Sequence, residues 1–308
     1  MPDAEAVFVM PHYCDHPDAE RYLEWALDGL YAQTDPDWRL VIVDDASPER
    51  RDRLRLRERV RAMGDRAVLI QRERNSGQGI CRNAGVAWAA AHGAPFVLFN
   101  DADDVSHPRR LEVTRRVFAQ EPEIGFVYST FVVVDEDGCE VPREKLTPSV
   151  VEILDSHRSP VEGRDGWIRI GTETGYISLT STVAVRTDIA VNHPFPPRGS
   201  EDAHTWLRMS AATAMRYQAS VPSQYRIPRH RAGSADRTRM GAEFYRHKAR
   251  LDLDGFLTAA ATAVERGSID AADVPALRAK FVERLAATLE GEAQYELAQD
   301  LRGSVVRR

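Results

Sequence analysis

The sequence predicts an open α/β fold, a mixed and mainly parallel sheet flanked by helices, with a helical C-terminal extension. Three observations carry that expectation. Strand and helix signals alternate through roughly the first 130 residues. The strand signals are short apolar runs, as expected for strands buried on both faces of a parallel sheet. Beyond Gly241 the chain becomes Ala-rich and charged, with helical segments only.

The apolar runs are Ala6 to Met10, Leu40 to Val43, Val68 to Ile70 and Phe96 to Phe99, each bounded by charge or turn residues. Helices are expected between them, over roughly 19–32, 50–63 and 79–91. The second is heavily charged, yet Leu56, Val60 and Met63 recur at helical spacing. Ser106 and Pro108 mark a further helix start, with Leu111, Thr114 and Phe118 on one face. Past about residue 125 the pattern changes. Phe126 to Tyr128 and Phe131 to Val134 are strand candidates ahead of a turn at Asp137-Gly138. The polar stretch from Val141 to Arg164 holds three prolines and predicts a long loop or lid. Ile177 to Val185 predicts a strand, Ala203 to Ala214 a helix, and the chain from Gly241 helices broken near Gly267 and Pro275. The expected units are 1–240 for binding and catalysis and 241–308 as the helical extension.

Composition narrows the function classes. With 308 residues, 43% apolar and 29% charged, the chain can bury a sizeable core and is not disordered. A net charge of −6 argues against a nucleic-acid partner. Between Arg226 and Arg250 the local charge is +6, which suits a confined anion better than a polyanion. Cys14, Cys81 and Cys139 form no CxxC pair, so neither a disulfide framework nor a zinc site is expected. No apolar run nears the ~18 residues of a membrane helix. With acids where a signal peptide carries basic residues, the expected location is the cytoplasm.

The chemistry concentrates at the ends of the predicted strands. Asn100-Asp101-Ala102-Asp103-Asp104 follows the run ending at Phe99, where open α/β sheets bind ligands. Carboxylates this close repel one another, and a divalent cation relieves that repulsion. Taken alone, the cluster is equally well a polar turn before a helix. Asp44-Asp45 ends a second strand, where the plain role is helix capping. Asn75-Ser76-Gly77 and Arg82-Asn83-Ala84-Gly85 surround another strand-to-helix passage, and Met10-Pro11-His12-Tyr13 ends the first strand. All four sets fall at carboxyl ends of one predicted sheet.

Together these motifs resemble the family-two glycosyltransferases of the GT-A fold, inverting enzymes that use nucleoside-diphosphate sugars. The match runs through Pro11 to Cys14, Val43 to Ser47, Cys81 to Gly85, Asp101 to Asp104, Thr182 to Arg186 and Gly199 to Asp202. It ends at Tyr225-Arg226 with His230 and Ser234, and covers roughly residues 6–236. The chain departs from the pattern at Cys14, where Asn is usual, and at Cys81.

The resemblance implies roles. Asp45 would accept the N3–H of uracil or thymine, with Pro11 and Tyr13 lining the base. Asn75 and Arg82 would close the nucleotide site, and Asp101 with Ala102 would meet the ribose. Asp103 would hold Mg²⁺ or Mn²⁺, assisted by His230, and Arg226 would contact the phosphates. Asp202 would be the general base, although Glu201 and Asp202 also suit a helix cap. The expected partners are a nucleoside-diphosphate sugar, UDP- or dTDP-linked, and an unidentified acceptor hydroxyl or amine. The C-terminal helices are candidates for a homodimer contact. The segment from Tyr225 to Arg237 is expected to be a loop that closes over the diphosphate. The rival functions are a catalytically silent sugar-nucleotide-binding subunit and, lower, a sugar nucleotidyltransferase. The latter lacks its glycine-rich phosphate loop between Met10 and Ala19.

Overall fold

The computed structural model describes residues 5–227 and 242–306. A seven-stranded sheet forms its centre, in the order β3-β2-β1-β4-β6-β5-β7. Its strands are β1 (Ala6–His12), β2 (Trp38–Asp44), β3 (Ala67–Gln71), β4 (Phe96–Phe99), β5 (Ile124–Val134), β6 (Val183–Arg186) and β7 (Ala214–Arg226). β1, β2, β3 and β4 are parallel, β6 runs antiparallel to both β4 and β5, and β5 pairs with β7 in parallel.

The strand period of two sorts the core onto two faces. Ala6, Phe8, Met10, Leu40, Ile42 and Leu98 pack with α1 (Ala19–Tyr31), α2 (Arg50–Ala62) and α4 (Arg110–Gln120). The alternate positions Val7, Val9, Val41, Val43, Val97 and Phe99 face α3 (Gln78–Ala91) and the helices of the C-terminal half. Gly85 lets α3 lie close on β1, because a Cβ there would strike the Val9 side chain. The first four expected strands and the first four helices are therefore present, each within about two residues of its expected bounds, and the two strand candidates at 126–134 are one strand, β5.

Three expectations change. The 141–164 stretch contains α5 (Pro148–Ser156), whose Val150 and Ile153 pack on Phe131 and Val133. The stretch 177–185 is extended only from Val183. Most importantly, Tyr225 and Arg226 end the long edge strand β7 and are no part of a loop. That strand escapes the sequence pattern because Pro222 and polar residues interrupt it. Its pairing skips from Gln218 to Ser223 between Ser129 and Phe131 of β5, and prolines in sheets belong to edges and irregularities.

The remaining helices are α6 (Gly166–Arg169), α7 (Thr187–Asn192), α8 (Glu201–Ala212), α9 (Ala242–Glu265), α10 (Val274–Gly291) and α11 (Tyr295–Val306). Phe256, Phe281, Leu285 and Ala298 of the last three helices join the same buried cluster as Val9 and Phe99. One apolar core thus runs from the sheet into the C-terminal helices.

Buried Arg110 locks the carboxyl end of β4. It donates to the Phe99 carbonyl from both terminal nitrogens at 3.1 Å, to Val183 O at 2.9 Å and to Ser106 Oγ at 3.0 Å. Burial pulls its pKa down to about 9, with Asp104 opposing, so the guanidinium stays charged at neutral pH. Replacing Arg110 by Ala should cost roughly 3–5 kcal/mol, the scale for opening a buried charged network. Urea denaturation measures this, and an unmoved midpoint would show that the tie is dispensable.

Candidate active site

The carboxyl ends of β1, β2 and β4 open into one cleft of about 350 Å³. Pro11 and Tyr13 line it from β1 and its exit, Asp45 from the end of β2, and Asp101, Ala102 and Asp103 from the end of β4. Asn75 lines it from the turn before α3. Seven residues expected from sequence therefore converge, at a volume suited to a small-molecule ligand.

Backbone geometry fixes Asp45. Ala46 adopts a left-handed conformation at φ 61°, which ends β2 abruptly. Ser76 N–H donates to one Asp45 carboxylate oxygen at 2.7 Å and Gly77 N–H to the other at 2.8 Å. Each oxygen keeps a further lone pair for a ligand N–H. Gly77 itself sits at φ +93°, a conformation glycine adopts without strain.

The acidic loop is held from three sides. Asp101 N–H donates to Ser181 Oγ at 2.9 Å, and the Asn100 amide spans the carbonyls of Asp101 and Asp104. Arg226 clasps the loop from β7: its N–H donates to Asp104 Oδ1 at 2.9 Å and its Nε to the Asp103 carbonyl at 2.9 Å. Nη1 of the same guanidinium reaches Asp135 O at 2.6 Å, and the group stacks on Trp25 and Tyr22. The expected phosphate contact is thus corrected: Arg226 is buried, holds the acidic loop and does not line the cleft.

Arg82 is placed similarly. It is 1% exposed and pairs with Asp101 at 2.8 Å and Glu201 at 3.1 Å. Burial works against its charge, but Asp101 and Glu201 outweigh that and push its pKa up. It holds Asp101, which lines the cleft, from behind.

Asp103 is half-buried, and burial followed by the Asp101 charge pushes its carboxyl up to about 6, against the pull of Arg226 and Arg82. Among the described residues no side-chain cation pairs with it. Nor do the described residues contain a cluster of three or more His, Cys, Asp or Glu able to hold a metal. His230 lies outside the described residues, as do Ser234 and most of the expected closing loop.

Asp202 opens α8 and lines a small adjoining cavity with Tyr176, Asp252 and Arg284 rather than the main cleft. Its Oδ1 accepts the Ala203 N–H at 2.7 Å. Burial, then neighbouring Glu201, and further Asp252 push its pKa up to about 7, while Ala203 N–H and Arg82 pull the other way. Glu201 is committed to Arg82 and to the Gln78 amide. Lys248 of α9 donates to Asp252 at 2.7 Å and lies 4.1 Å from the Tyr176 ring. The C-terminal helices therefore supply part of the surroundings of Asp202.

Sequence reasoning missed Ser181, which positions Asp101, and Arg198, which lines the cleft beside the motif residue Gly199. Arg198 stands in a proline-rich segment without periodicity, and nothing in the local sequence marks it.

The family profile for glycosyl transferase family 2 matches residues 8–182. An uncharacterized glycosyltransferase of Methanocaldococcus jannaschii, MJ1057, is 28% identical over 121 residues, taking in 39% of this chain and 40% of the relative. The chain spans less than two thirds of the length of the curated relatives it matches. Among solved structures, S. aureus TarS 1–349 in complex with UDP superposes with a TM-score of 0.58 at 18% identity, covering 97% of this chain and 90% of that one. The mannosyltransferase PcManGT of Pyrobaculum calidifontis, in complex with GDP-Man and Mn²⁺, superposes at 0.53 with 18% identity, over 97% and 86%. Fold, strand-end carboxylates and a family match across more than half of the chain agree: the protein belongs to glycosyl transferase family 2.

Proposed function

We propose that the chain is an inverting glycosyltransferase that moves a sugar from a UDP- or dTDP-linked donor to an acceptor hydroxyl or amine, assisted by Mg²⁺ or Mn²⁺. The observation that carries this reading is the single cleft lined by Asp45 past the end of β2 and by Asp101 and Asp103 past the end of β4, with β1 between those strands. Family membership supports sugar transfer. The UDP, GDP-Man and Mn²⁺ bound by the two structural neighbours support a nucleotide-sugar donor and a divalent ion.

Asp45 would accept the base N–H while Pro11 and Tyr13 cover the ring. Asp101, held by Arg82 and Ser181, would receive the ribose hydroxyls beside Ala102. Asp103 suits a divalent ion: it is a hard oxygen donor whose charge burial disfavours and whose carboxylate no described cation neutralises. One protein carboxylate with donor phosphate oxygens is the usual coordination of Mg²⁺, with His230 as the further candidate from this chain. Bound there, the ion would offset charge gathering on the departing diphosphate. Asp202 would take the acceptor proton, and attack opposite the leaving group would invert the anomeric centre.

Two measurements test this. Asp103→Asn should abolish the gain in UDP or dTDP affinity that Mn²⁺ confers, while leaving the melting temperature in place. Calorimetry giving the same Mn²⁺-dependent gain in the variant would remove Asp103 from the metal site.

The second concerns pH. A carboxyl raised to about 7 is ionised, and so basic, only as pH climbs through that value. Transfer should therefore rise with pH up to about 7, and Asp202→Asn should lower it by roughly 10²-fold or more and flatten that limb. If Glu201→Gln abolishes transfer and Asp202→Asn spares it, the base is the other carboxylate.

A further inference from the structure

Among the described residues the cleft is short of positive charge. Asp45, Asp101 and Asp103 line it, and the two arginines that the sequence nominates for the nucleotide are committed elsewhere. Arg82 is held between Asp101 and Glu201. Arg226 is held on the carbonyls of Asp103 and Asp135. Among the described residues, the one guanidinium or ammonium side chain lining the cleft is Arg198.

Arg198 is exposed, and among the described residues its guanidinium bonds only to the side-chain and backbone oxygens of Asn75, which also lines the cleft. Both are neutral acceptors. Phosphate oxygens are stronger ones, because they set an opposite charge against the guanidinium and the planar fork can engage two of them together.

The backbone beneath the side chain is fixed. Asn83 of α3 clamps Phe195 by its Oδ1 to the N–H and its Nδ2 to the carbonyl, each at 2.8 Å. Gly77 and Gly79 admit the 196–197 backbone so closely that a Cβ at either would strike it. On the other side His247 of α9 reaches Arg198 O at 3.2 Å. The carrier is therefore anchored while the long side chain remains at the surface.

We propose that Arg198 is a donor-phosphate ligand. It is parked on Asn75 in the free protein and transfers its guanidinium to the diphosphate when the nucleotide enters. This rests on the nucleotide-sugar reading of the cleft, and deepens it by naming a cation that the described residues supply.

Calorimetry with Mn²⁺ present, comparing UDP, dTDP and GDP with their nucleosides, tests the assignment. Arg198→Ala should weaken the bound nucleoside diphosphate by about tenfold or more and its nucleoside by less than about twofold, the scale of one charge-assisted contact. Arg198→Lys should recover part of the loss. Asn75→Ala, which frees the guanidinium without removing it, should keep the preference of the wild type for diphosphate over nucleoside. Equal loss of nucleotide and nucleoside in Arg198→Ala, matched by Asn75→Ala, would reduce the pair to a structural staple and overturn the proposal. So would unchanged affinity in Arg198→Ala. A wild-type chain that binds none of the three diphosphates overturns the nucleotide-sugar reading instead.

Discussion

Arg82 carries its charge on α3 between Asp101, at the end of β4, and Glu201, at the start of α8. Those two acids are 100 positions apart in the chain, and this guanidinium is what brings their elements to one place. Such a group is costly to bury and still costlier to leave unpaired, by several kcal/mol. The loop after β4 and the first turn of α8 are therefore coupled through it. Asp45 stands nearby with both oxygens on the turn that leads into α3, so the same helix organises two of the three strand ends.

Charge balance follows from that arrangement. Arg82 faces Asp101 and Glu201 at once, with Asp103, Asp104 and Asp202 close by, so carboxylates outnumber the cations within reach. Burial and mutual repulsion raise Asp103, Asp104 and Asp202 together. Asp104 is relieved by the Arg226 N–H and stays inside the protein, whereas Asp103 faces the cleft. The loop thus divides its acids: Asp104 anchors it to β7, Asp101 pairs with Arg82, and Asp103 faces the cleft.

The parts of this architecture legible in the sequence are those whose chemistry is local. Strands buried on both faces must be continuously apolar, so β1, β2 and β4 stand out, and the acids just past them mark the cleft. β7 does not stand out, because an edge strand with Pro222 and a four-residue excursion has no period to detect. α5 hides in a polar stretch whose two core residues, Val150 and Ile153, matter only once Phe131 and Val133 are in place. Among arginines, sequence distinguishes charge but not burial. Arg82 and Arg226 lie in motifs and turn inward, while Arg198 has no motif and faces the ligand space.

The crossing of α8 and α9 has a consequence for chain length. A methyl group placed on Gly255 would come within 2.9 Å of both the Cα and the carbonyl oxygen of His204, so the two helices approach at nearly backbone distance. Among the described residues, those lining the main cleft lie between positions 11 and 199, yet the helix that begins with Glu201 and Asp202 packs against this later helix. Trimming the chain from its far end would therefore unseat Asp202 before touching the described lining of the cleft.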